Sequence, residues 1–335
     1  MWTTYFHGPQ KAWAEETGYA DGMEFILHHL GALHYAEFVR PYKICNPHVE
    51  VVARDEGELS AREYRSPWGV LTELRKGPRL VQHRVRSPRD LRILIEMWKR
   101  DEVMTLPERF HQAQKIGHGR WPVVISAGPS PVQRLIQVDM SVEDFWYAMA
   151  DYPHLMEEAF DVYQTTMRKI YEIITRFPAD GFCEDENTST TLISPTAYRR
   201  YSLPHIRQYA EAVHRAGKRL VVHMCGHLRG LVPIFPETGM DGIDCLTPPP
   251  VGDCEFRYAF EHMPARFFCT GRFGSSLWYG RSRKEILANL AACLPHDIYR
   301  EHTFVLGVTG DGLRDISLSN IQLLRDCIAE YERRG

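Results

Sequence analysis

Cysteine side chains stand at the ends of four successive predicted strands in the second half of the chain. They are Cys183 in GFCEDE, Cys225 in VVHMCG, Cys245 in GIDCLT and Cys269 in FFCTGR. His223 lies two residues before Cys225, and side chains at i and i+2 of a strand point to the same face. Imidazole nitrogen and thiolate sulfur are ligands that zinc prefers. The spacing therefore predicts that His223 and Cys225 bind one zinc ion together.

Two ligands from one strand need a third from a neighbouring strand, because catalytic zinc sites have three protein ligands and one open position. Cys245, at the next strand end, is the first choice. Glu184, on the preceding strand, is a candidate fourth or exchangeable ligand, and Cys269 and Asp311 are held in reserve. The alternative is structural, since cysteine is often buried as a small hydrophobe. The nearby histidine and the further strand-end thiols favour metal binding over that alternative.

Charged side chains near the same strand ends are further candidates for chemistry. The run EDE predicts a substrate-binding or proton-transferring role for Glu184, with a solvated loop as the alternative. Asp311 follows the last strand in a GDG turn, where barrels frequently bind anions, although a tight turn explains the motif equally well. Glu184 and Asp311 are therefore the catalytic candidates. Arg272 in CTGRFG is a candidate anchor for an anionic substrate or cofactor group.

The elements that must position these residues become regular after Trp121. Short β-branched runs of four to six residues alternate with helical segments of ten or more, which is typical of a parallel sheet with crossover helices. An open doubly wound sheet would carry a Gly-rich fingerprint after its first strand, and none is present. We therefore predict an α/β fold, a (β/α)8 TIM-type barrel with its functional residues where the strands end.

The first third of the chain has a different pattern. Residues 22–38 have apolar side chains at helical spacing, whereas residues 48–77 alternate as extended strands with turns between them. We interpret this part as a helical and β-hairpin excursion beside the barrel. The predicted organisation is a single domain over residues 1–335 with an N-terminal excursion over about 1–85.

Composition and charge exclude several classes of protein. The 335 residues carry a formal net charge of −3, without a Lys/Arg-rich block of the kind that binds nucleic acid. No run approaches the ~20 apolar residues of a membrane span, and the N-terminus lacks a signal-peptide pattern. The expected location is the cytoplasm, where the eight cysteines would be thiols or metal ligands.

Several segments together resemble the uroporphyrinogen decarboxylase superfamily, and more specifically its cobamide-dependent methyltransferase branch. The resemblance covers residues 63–331. It is carried by EYRSPWGVLTELRKG, ISAGPSPVQRLI, GFCEDE, the long stretch from SPTAYRR to VVHMCG, TGMDGID and SNIQLLRDCIAEY. HMCG is the most specific segment, because HxCG is where that branch places zinc ligands. The resemblance implies a (β/α)8 barrel, a catalytic zinc, and a methyl group moved to or from a corrinoid cobalt.

Two departures from the family pattern bear on function. Coenzyme M enzymes of the branch resemble one another in a PGC-like turn after the last strand, whereas this chain has VTGDGL without a cysteine. The third zinc ligand and the methyl substrate are therefore left open. The MRQAGR-type motif of true uroporphyrinogen decarboxylases is absent, which disfavours a porphyrinogen substrate.

The leading prediction is zinc-assisted methyl transfer, in the direction of demethylating a small ether, amine, thioether or thiol. The chain has no DxHxxG-type corrinoid motif, so the corrinoid would arrive on a partner protein or free in solution. A lyase that uses Arg272 and the acidic strand-end loop on a carboxylate substrate is the second hypothesis. A non-catalytic corrinoid-binding protein is the third.

Overall fold

One sheet of eight parallel strands forms the centre of the molecule. The computed structural model describes residues 2–4, 9–117, 119–310, 313 and 316–334. Strands β1 to β14 span, in chain order, Trp2–Thr4, Glu37–Val39, Tyr42–Cys45, Glu50–Glu56, Leu59–Ser66, Gly69–Lys76, Arg79–Gln82, Glu102–Thr105, Val123–Ser126, Gly181–Glu184, Leu220–His223, Gly242–Leu246, Phe268–Phe273 and Thr303–Val308. The order in the large sheet is β1-β14-β13-β12-β11-β10-β9-β2.

Edge strand β1 contacts the segment just before the other edge strand, β2, and this contact closes the sheet into a barrel. Thr3 in β1 forms a parallel bridge with Leu33, just before β2. The Leu33 amide donates to the Trp2 carbonyl at 2.8 Å, and the Thr3 hydroxyl donates to the Leu33 carbonyl at 2.8 Å. All the pairings in the large sheet are parallel. The predicted (β/α)8 fold is confirmed.

Helices cover the outside of the barrel and bury their apolar sides against it. In chain order α1 to α13 span Pro9–Thr17, Gly22–Glu24, Pro88–Trp98, Pro107–Gly117, Pro131–Arg134, Val142–Asp151, Pro153–Ile174, Pro195–Ala197, Leu203–Arg215, Phe256–His262, Arg283–Cys293, His296–Glu301 and Leu318–Arg334. Single π-helical turns at Phe25–His29, Leu135–Asp139 and Tyr198–Ser202 continue α2, α5 and α8, and 3-10 turns lie at Val232–Thr238 and Ser275–Leu277. No helix among these residues is both long and apolar enough to cross a membrane.

Local sequence accounts for where several of these helices begin. The Ser141 hydroxyl accepts a hydrogen bond from the Asp144 amide at 3.0 Å and so caps α6. Pro153 separates α6 from α7, because proline is favoured in the first turn of a helix and not in its interior. Ser282 and Glu285 form a reciprocal capping box at the start of α11.

The N-terminal part differs from its prediction in two places. The helix that begins at Gly22 ends with the π turn at His29, and residues 37–39 are a barrel strand, not helix. Gly31 has a φ of +64°, a left-handed conformation that favours glycine and breaks the helix. The region predicted as an excursion therefore also contains the first two barrel strands, β1 and β2.

The excursion itself is an antiparallel meander of four strands, β4-β5-β6-β7. It extends the predicted hairpin as far as Gln82. A separate antiparallel pair, β3 and β8, lies beside it. Ala61 and Leu71 are buried on the meander face that meets the rest of the molecule. The meander is therefore packed against the barrel domain and forms one wall of a cavity beside it.

Candidate active site

Polar side chains converge on the barrel interior where the strands end. Val124, Cys183, Val221 and Phe268 line a single cavity at the amino end of the barrel. Side chains two residues further along each strand face the same interior. This alternation and the hydrogen bonds between neighbouring strands define the barrel mouth: Arg40, Ser126, Asp185, His223, Cys225, Asp244, Thr270, Arg272 and Thr309.

His223, at the end of β11, is held by a carboxylate from the neighbouring strand. Its register partner in β12 is Asp244, and the imidazole Nδ1 lies 2.8 Å from Asp244 Oδ2. The Thr270 hydroxyl of β13 donates to the other oxygen of Asp244. Burial lowers the pKa of His223, but hydrogen bonds to Asp244 and to Cys225 raise it to about 10. The imidazole is therefore fixed in orientation by a chain of bonds across three strands.

Cys225 lies in the loop just after β11, on the same side as His223. Its thiol is close enough to the imidazole to contribute to the raised pKa of His223, and it lies 3.0 Å from Asn187 Oδ1. The Asn187 amide in turn donates to the His223 carbonyl at 2.8 Å, which ties the loops after β10 and β11 together. The predicted convergence of His223 and Cys225 is present in the structure.

The donor pair suits zinc, but the described residues do not complete a zinc site. Because Asp244 accepts from Nδ1 of His223, Nε2 is the nitrogen available to a metal, and a carboxylate behind a ligating histidine is the usual second partner. Within residues 9–117, 119–310 and the other described ranges, no group of three or more His, Cys, Asp or Glu side chains is placed to hold a metal ion. Asp311, the reserve ligand and predicted catalytic residue, lies outside the described residues.

Cys245 and Cys269 do not complete such a group with His223 and Cys225. Cys245 has a φ of +74° at an irregularity in the β12 register, and its amide donates to the Thr270 hydroxyl at 2.7 Å. Cys269 is buried, and burial raises the pKa of its thiol well above the usual value. Among the described residues, the first-choice third ligand is therefore not grouped with the pair.

Glu184 faces away from the mouth, toward the helices outside the barrel. Its register partner is Val222, which directly precedes the inward-facing His223, so Glu184 lies on the opposite face of the sheet. Burial, with a smaller contribution from the nearby Glu184 carboxylate, raises the pKa of Tyr171, Tyr198 and Tyr209. The Glu184 side chain is 0% exposed, and neither carboxylate oxygen has a hydrogen-bond partner. The predicted metal and catalytic roles of Glu184 therefore have no support from its position.

Burial, followed by the nearby charges of Glu186 and Asp185, raises the pKa of Glu184 well above its usual range. Such surroundings favour the protonated, neutral form of the carboxyl group. It is Asp185, the next residue, that reaches the mouth. Its carboxylate accepts a hydrogen bond from the Ser126 hydroxyl at 2.6 Å and forms an ion pair with Arg40.

Two residues of the mouth that were not predicted could have been found from their spacing in the sequence. Asp185 is two positions after the strand cysteine Cys183, and Asp244 directly precedes Cys245, so strand alternation could have selected both. Arg40 follows a strand of three residues that resembled helix, and no local pattern marks it. Its partnership with Asp185 depends on the pairing of β2 with β9 and of β9 with β10, which brings distant parts of the chain together.

Arg272 lies at the mouth, as the prediction requires. It is two residues after Thr270 on β13, and its Nε donates to the Thr309 hydroxyl at 3.1 Å. Thr309 directly follows β14, so the guanidinium group is positioned by the last two strands of the barrel. A cationic side chain in this place can bind an anionic group at the strand ends.

Comparisons with known proteins agree with this architecture. The sequence model of the family described as Uroporphyrinogen decarboxylase (URO-D) matches residues 76–331. A methyltransferase from Methanosarcina mazei is similar in structure, with a TM-score of 0.51, 16% sequence identity, and coverage of 76% of this chain and 72% of that chain. D-psicose 3-epimerase from Clostridium cellulolyticum H10 has a TM-score of 0.39 and 11% identity, covering 68% of this chain and 83% of the epimerase. No curated protein sequence matches the chain.

Proposed function

The chain belongs to the uroporphyrinogen decarboxylase family, and from this premise we propose that it is a zinc-dependent methyltransferase. The methyl group would move between a small substrate and a corrinoid cobalt at the barrel mouth. The similarity in fold to a methyltransferase supports the reaction class. The observation that carries the proposal is the contact between His223 and Cys225, with Asp244 behind the imidazole.

His223 Nε2 and Cys225 Sγ would hold the metal, and the remaining positions would be taken by the substrate heteroatom and by a ligand beyond the described residues. Asp311 stays the candidate for that ligand. Bound zinc supplies Lewis-acid chemistry, which polarises a methyl-bearing heteroatom or stabilises a thiolate at neutral pH. The absence of a cysteine in the VTGDGL turn favours demethylation of an ether, amine or thioether.

The chain's own residues contribute orientation and charge. Nδ1 of His223 donates a hydrogen bond to Asp244, which leaves Nε2 as the nitrogen that would bind the metal, and the Thr270 hydroxyl holds the Asp244 carboxylate in place. Asn187 positions the Cys225 thiol. Arg272 would bind an anionic group of the substrate or of the corrinoid. The corrinoid would be delivered by a partner protein or free in solution, in the cytoplasm.

Metal analysis with a matched cysteine control tests this proposal. We expect one zinc per chain in the unaltered protein and in Cys293→Ala, because Cys293 ends helix α11 outside the barrel. Zinc should be lost in His223→Ala and in Cys225→Ala while circular dichroism remains unchanged. Methylation of cob(I)alamin, measured by absorbance against a panel of small methyl ethers, amines and thioethers, should fail in the same two variants. Equal zinc in all four proteins would overturn the assignment.

A lyase acting on a carboxylate substrate is the second candidate, favoured by the position of Arg272 at the mouth. That activity would need neither zinc nor cobamide. Turnover of a carboxylic acid by metal-free protein, lost in Arg272→Gln and retained in Cys225→Ala, would replace the methyltransferase proposal with this one.

A further inference from the structure

The amino end of the barrel, opposite the mouth, contains a cavity of about 420 Å³. Pro122, Asp180 and Asp241, which each directly precede a strand, lie at its rim. Its inner wall comes from strand residues that face the barrel interior, among them Val124 and Val221. The volume is within the range of pockets that bind small organic molecules. The proposed methyl transfer takes place at the other end of the barrel and assigns no role to this cavity.

Apolar side chains inside the barrel are partly exposed at this end. Val124, Val221 and Phe268 lie on the central strands β9, β11 and β13, yet each of them is only half-buried. The interior of a (β/α)8 barrel is normally filled by packed layers of such side chains. An eight-stranded barrel has room inside for side chains or for one small ligand. The barrel geometry therefore favours a small molecule over a protein segment as the occupant of this cavity.

Gly181, the first residue of β10, lines the cavity without a side chain. A Cβ atom at this position would come no closer than 3.8 Å to the Arg219 carbonyl oxygen and 3.9 Å to Val124 Cγ2, and its φ is not in the left-handed region. At Gly242, in contrast, a Cβ atom would lie 2.7 Å from the Phe268 carbonyl oxygen, so packing requires that glycine. Glycine inside a strand often marks the close approach of a ligand, and a ligand beside β10 would account for Gly181.

Three aromatic rings line the cavity together. The rings of Tyr35 and Phe268 are stacked, with their planes 4° apart and their centroids 5.8 Å apart. The ring of Phe38 is tilted against Tyr35 at a centroid distance of 5.8 Å, and Phe38 is 45% exposed although it is large and apolar. Aromatic side chains contact other rings favourably by offset stacking or edge to face. This wall of the cavity therefore favours a ligand with an aromatic ring.

The charged side chains of the cavity balance one another. Arg219 donates to Asp241 at 2.6 Å, and Arg266 and Asp180 add one positive and one negative charge, so the formal charge of the four groups is zero. Among the lining residues that the structure describes, these four are the charged ones, and all of them lie at the rim. An ionised ligand group deeper in the barrel would lose its hydration without gaining a partner of opposite charge. The cavity therefore suits an uncharged ligand.

We propose that the amino end of the barrel binds a small, uncharged aromatic molecule at a site separate from the mouth. The ring of this ligand packs against the stacked pair of Tyr35 and Phe268. It also contacts Val124 and Val221 of the barrel wall and covers Gly181. The site depends neither on zinc nor on methyl transfer, so it goes beyond the proposed function and does not rest on it.

Isothermal titration of the full-length protein with probes of similar shape tests the chemistry of the site. At neutral pH 2-naphthol is uncharged, 2-naphthoate is an anion and 2-naphthylmethylamine is a cation. We expect 2-naphthol to bind, and each ion to bind at least about tenfold more weakly. The saturated alcohol 2-decalol should also bind more weakly, because it lacks the aromatic ring. Equal binding of 2-naphthol and any of the other probes, a preference for one of them, or no binding of 2-naphthol at about 1 mM would each overturn the proposal.

Substitution of Gly181 tests whether the probe binds in this cavity. Gly181→Leu fills part of the space, so the affinity for 2-naphthol should fall at least about tenfold, and Gly181→Ala should have an intermediate affinity. Ala53→Leu, which enlarges an exposed side chain of the meander, is the matched control and should bind 2-naphthol unchanged. Unchanged affinity in Gly181→Leu that is folded by circular dichroism would contradict the assignment. If that variant does not fold, the probe comparison on the unaltered protein still decides.

Cys225→Ala separates this site from the mouth and from the proposed function. The Cys225 thiol lies beside Asn187 at the mouth and does not line the cavity, so the variant should bind 2-naphthol normally. Binding of 2-naphthol by a protein that transfers no methyl group would sustain this inference while the proposed function fails. Loss of binding in Cys225→Ala together with normal binding in Gly181→Leu would place the probe at the mouth and overturn the inference.

Discussion

The polar side chains on the inner face of the barrel strands differ from those on the outer face in hydrogen bonding and in exposure to solvent. On the inner face, His223, Asp244 and Thr270 form a hydrogen-bonded chain across three strands, with the imidazole partly open to the mouth. On the outer face of β10, Glu184 is fully buried among tyrosines, and its carboxylate oxygens have no hydrogen-bond partner. The first arrangement holds a reactive group in one orientation. The second keeps a carboxyl group neutral inside the protein.

The comparison teaches that acidity near a strand end is not evidence of a role at the mouth. Glu184 and Asp185 are consecutive, yet one lies under the helices and the other pairs with Arg40 at the mouth. Strand parity decides between them, since successive side chains point to opposite faces. Substitutions in the inner and outer clusters should therefore have effects of different kinds.

The largest effect is expected on the inner face. His223→Ala and Cys225→Ala should each reduce the rate of methyl transfer by at least about a thousandfold, since a metal-dependent reaction loses its centre with either ligand. The double variant should be no slower than either single one, because residues that act as a unit are not additive. Single-turnover rates measure this. Two independent, multiplying losses would show that the residues do not act on one centre.

Removing the carboxylate behind the imidazole should have the next largest effect. Asp244→Asn leaves the shape of the side chain but weakens the hold on the proton of Nδ1, so zinc affinity should fall about 10- to 100-fold. Competition with a chelator measures it. Asp241→Asn is the control: Asp241 binds Arg219 and the Leu220 amide at the amino end of the barrel, so its loss should leave zinc affinity unchanged.

A substitution in the outer cluster should change the stability of the fold and not methyl transfer, and the change should be a gain. Glu184→Gln removes a buried group whose pKa is raised in the folded chain, so the folded state retains a proton that the unfolded chain releases. The stability of the unaltered protein should therefore fall as pH rises above the ordinary glutamate pKa. The quantity to compare is the free energy of unfolding of the variant minus that of the unaltered protein. We expect this difference to be about 1–3 kcal/mol more in favour of the variant at pH 8 than at pH 4.

Urea denaturation at the two pH values, with Glu158→Gln as control, checks this prediction. Glu158 is exposed and pairs with Lys99, so its loss should change stability by less than about 1 kcal/mol at either pH. Methyl transfer by Glu184→Gln should remain near that of the unaltered protein. A large loss of transfer without a loss of stability would return Glu184 to the active site.

The smallest effect is expected for the exposed ion pair at the mouth. Arg40→Gln breaks the pair with Asp185, but both side chains are more than a third exposed and solvent screens their attraction. The free energy of unfolding should change by less than about 1 kcal/mol, as measured by urea denaturation. A loss of several kcal/mol would mean that this pair helps to close the barrel and is more than a solvent-screened contact.

Much of the fold could be predicted because its signals are local. The alternation of short β-branched strands with helices after Trp121 indicates a parallel α/β barrel, and the serine caps of α6 and α11 are marked by their own neighbours in sequence. The first two barrel strands could not be recognised, because β1 and β2 have three residues each and pair with β14 and β9, which lie far from them in the chain.

Part of the candidate site could likewise be predicted from the sequence, and the rest depends on the tertiary structure. The two-residue spacing was sufficient by itself to predict that His223 and Cys225 face the same side, since the geometry of a strand is local, although Cys225 lies in the loop just after β11. Only the tertiary structure decided which groups surround them. Asp244 and Thr270 reach the imidazole through the register between strands, and Cys245 lies at a break in that register. The orientation of Glu184 toward the helices likewise depends on contacts between residues far apart in the chain, which no local pattern records.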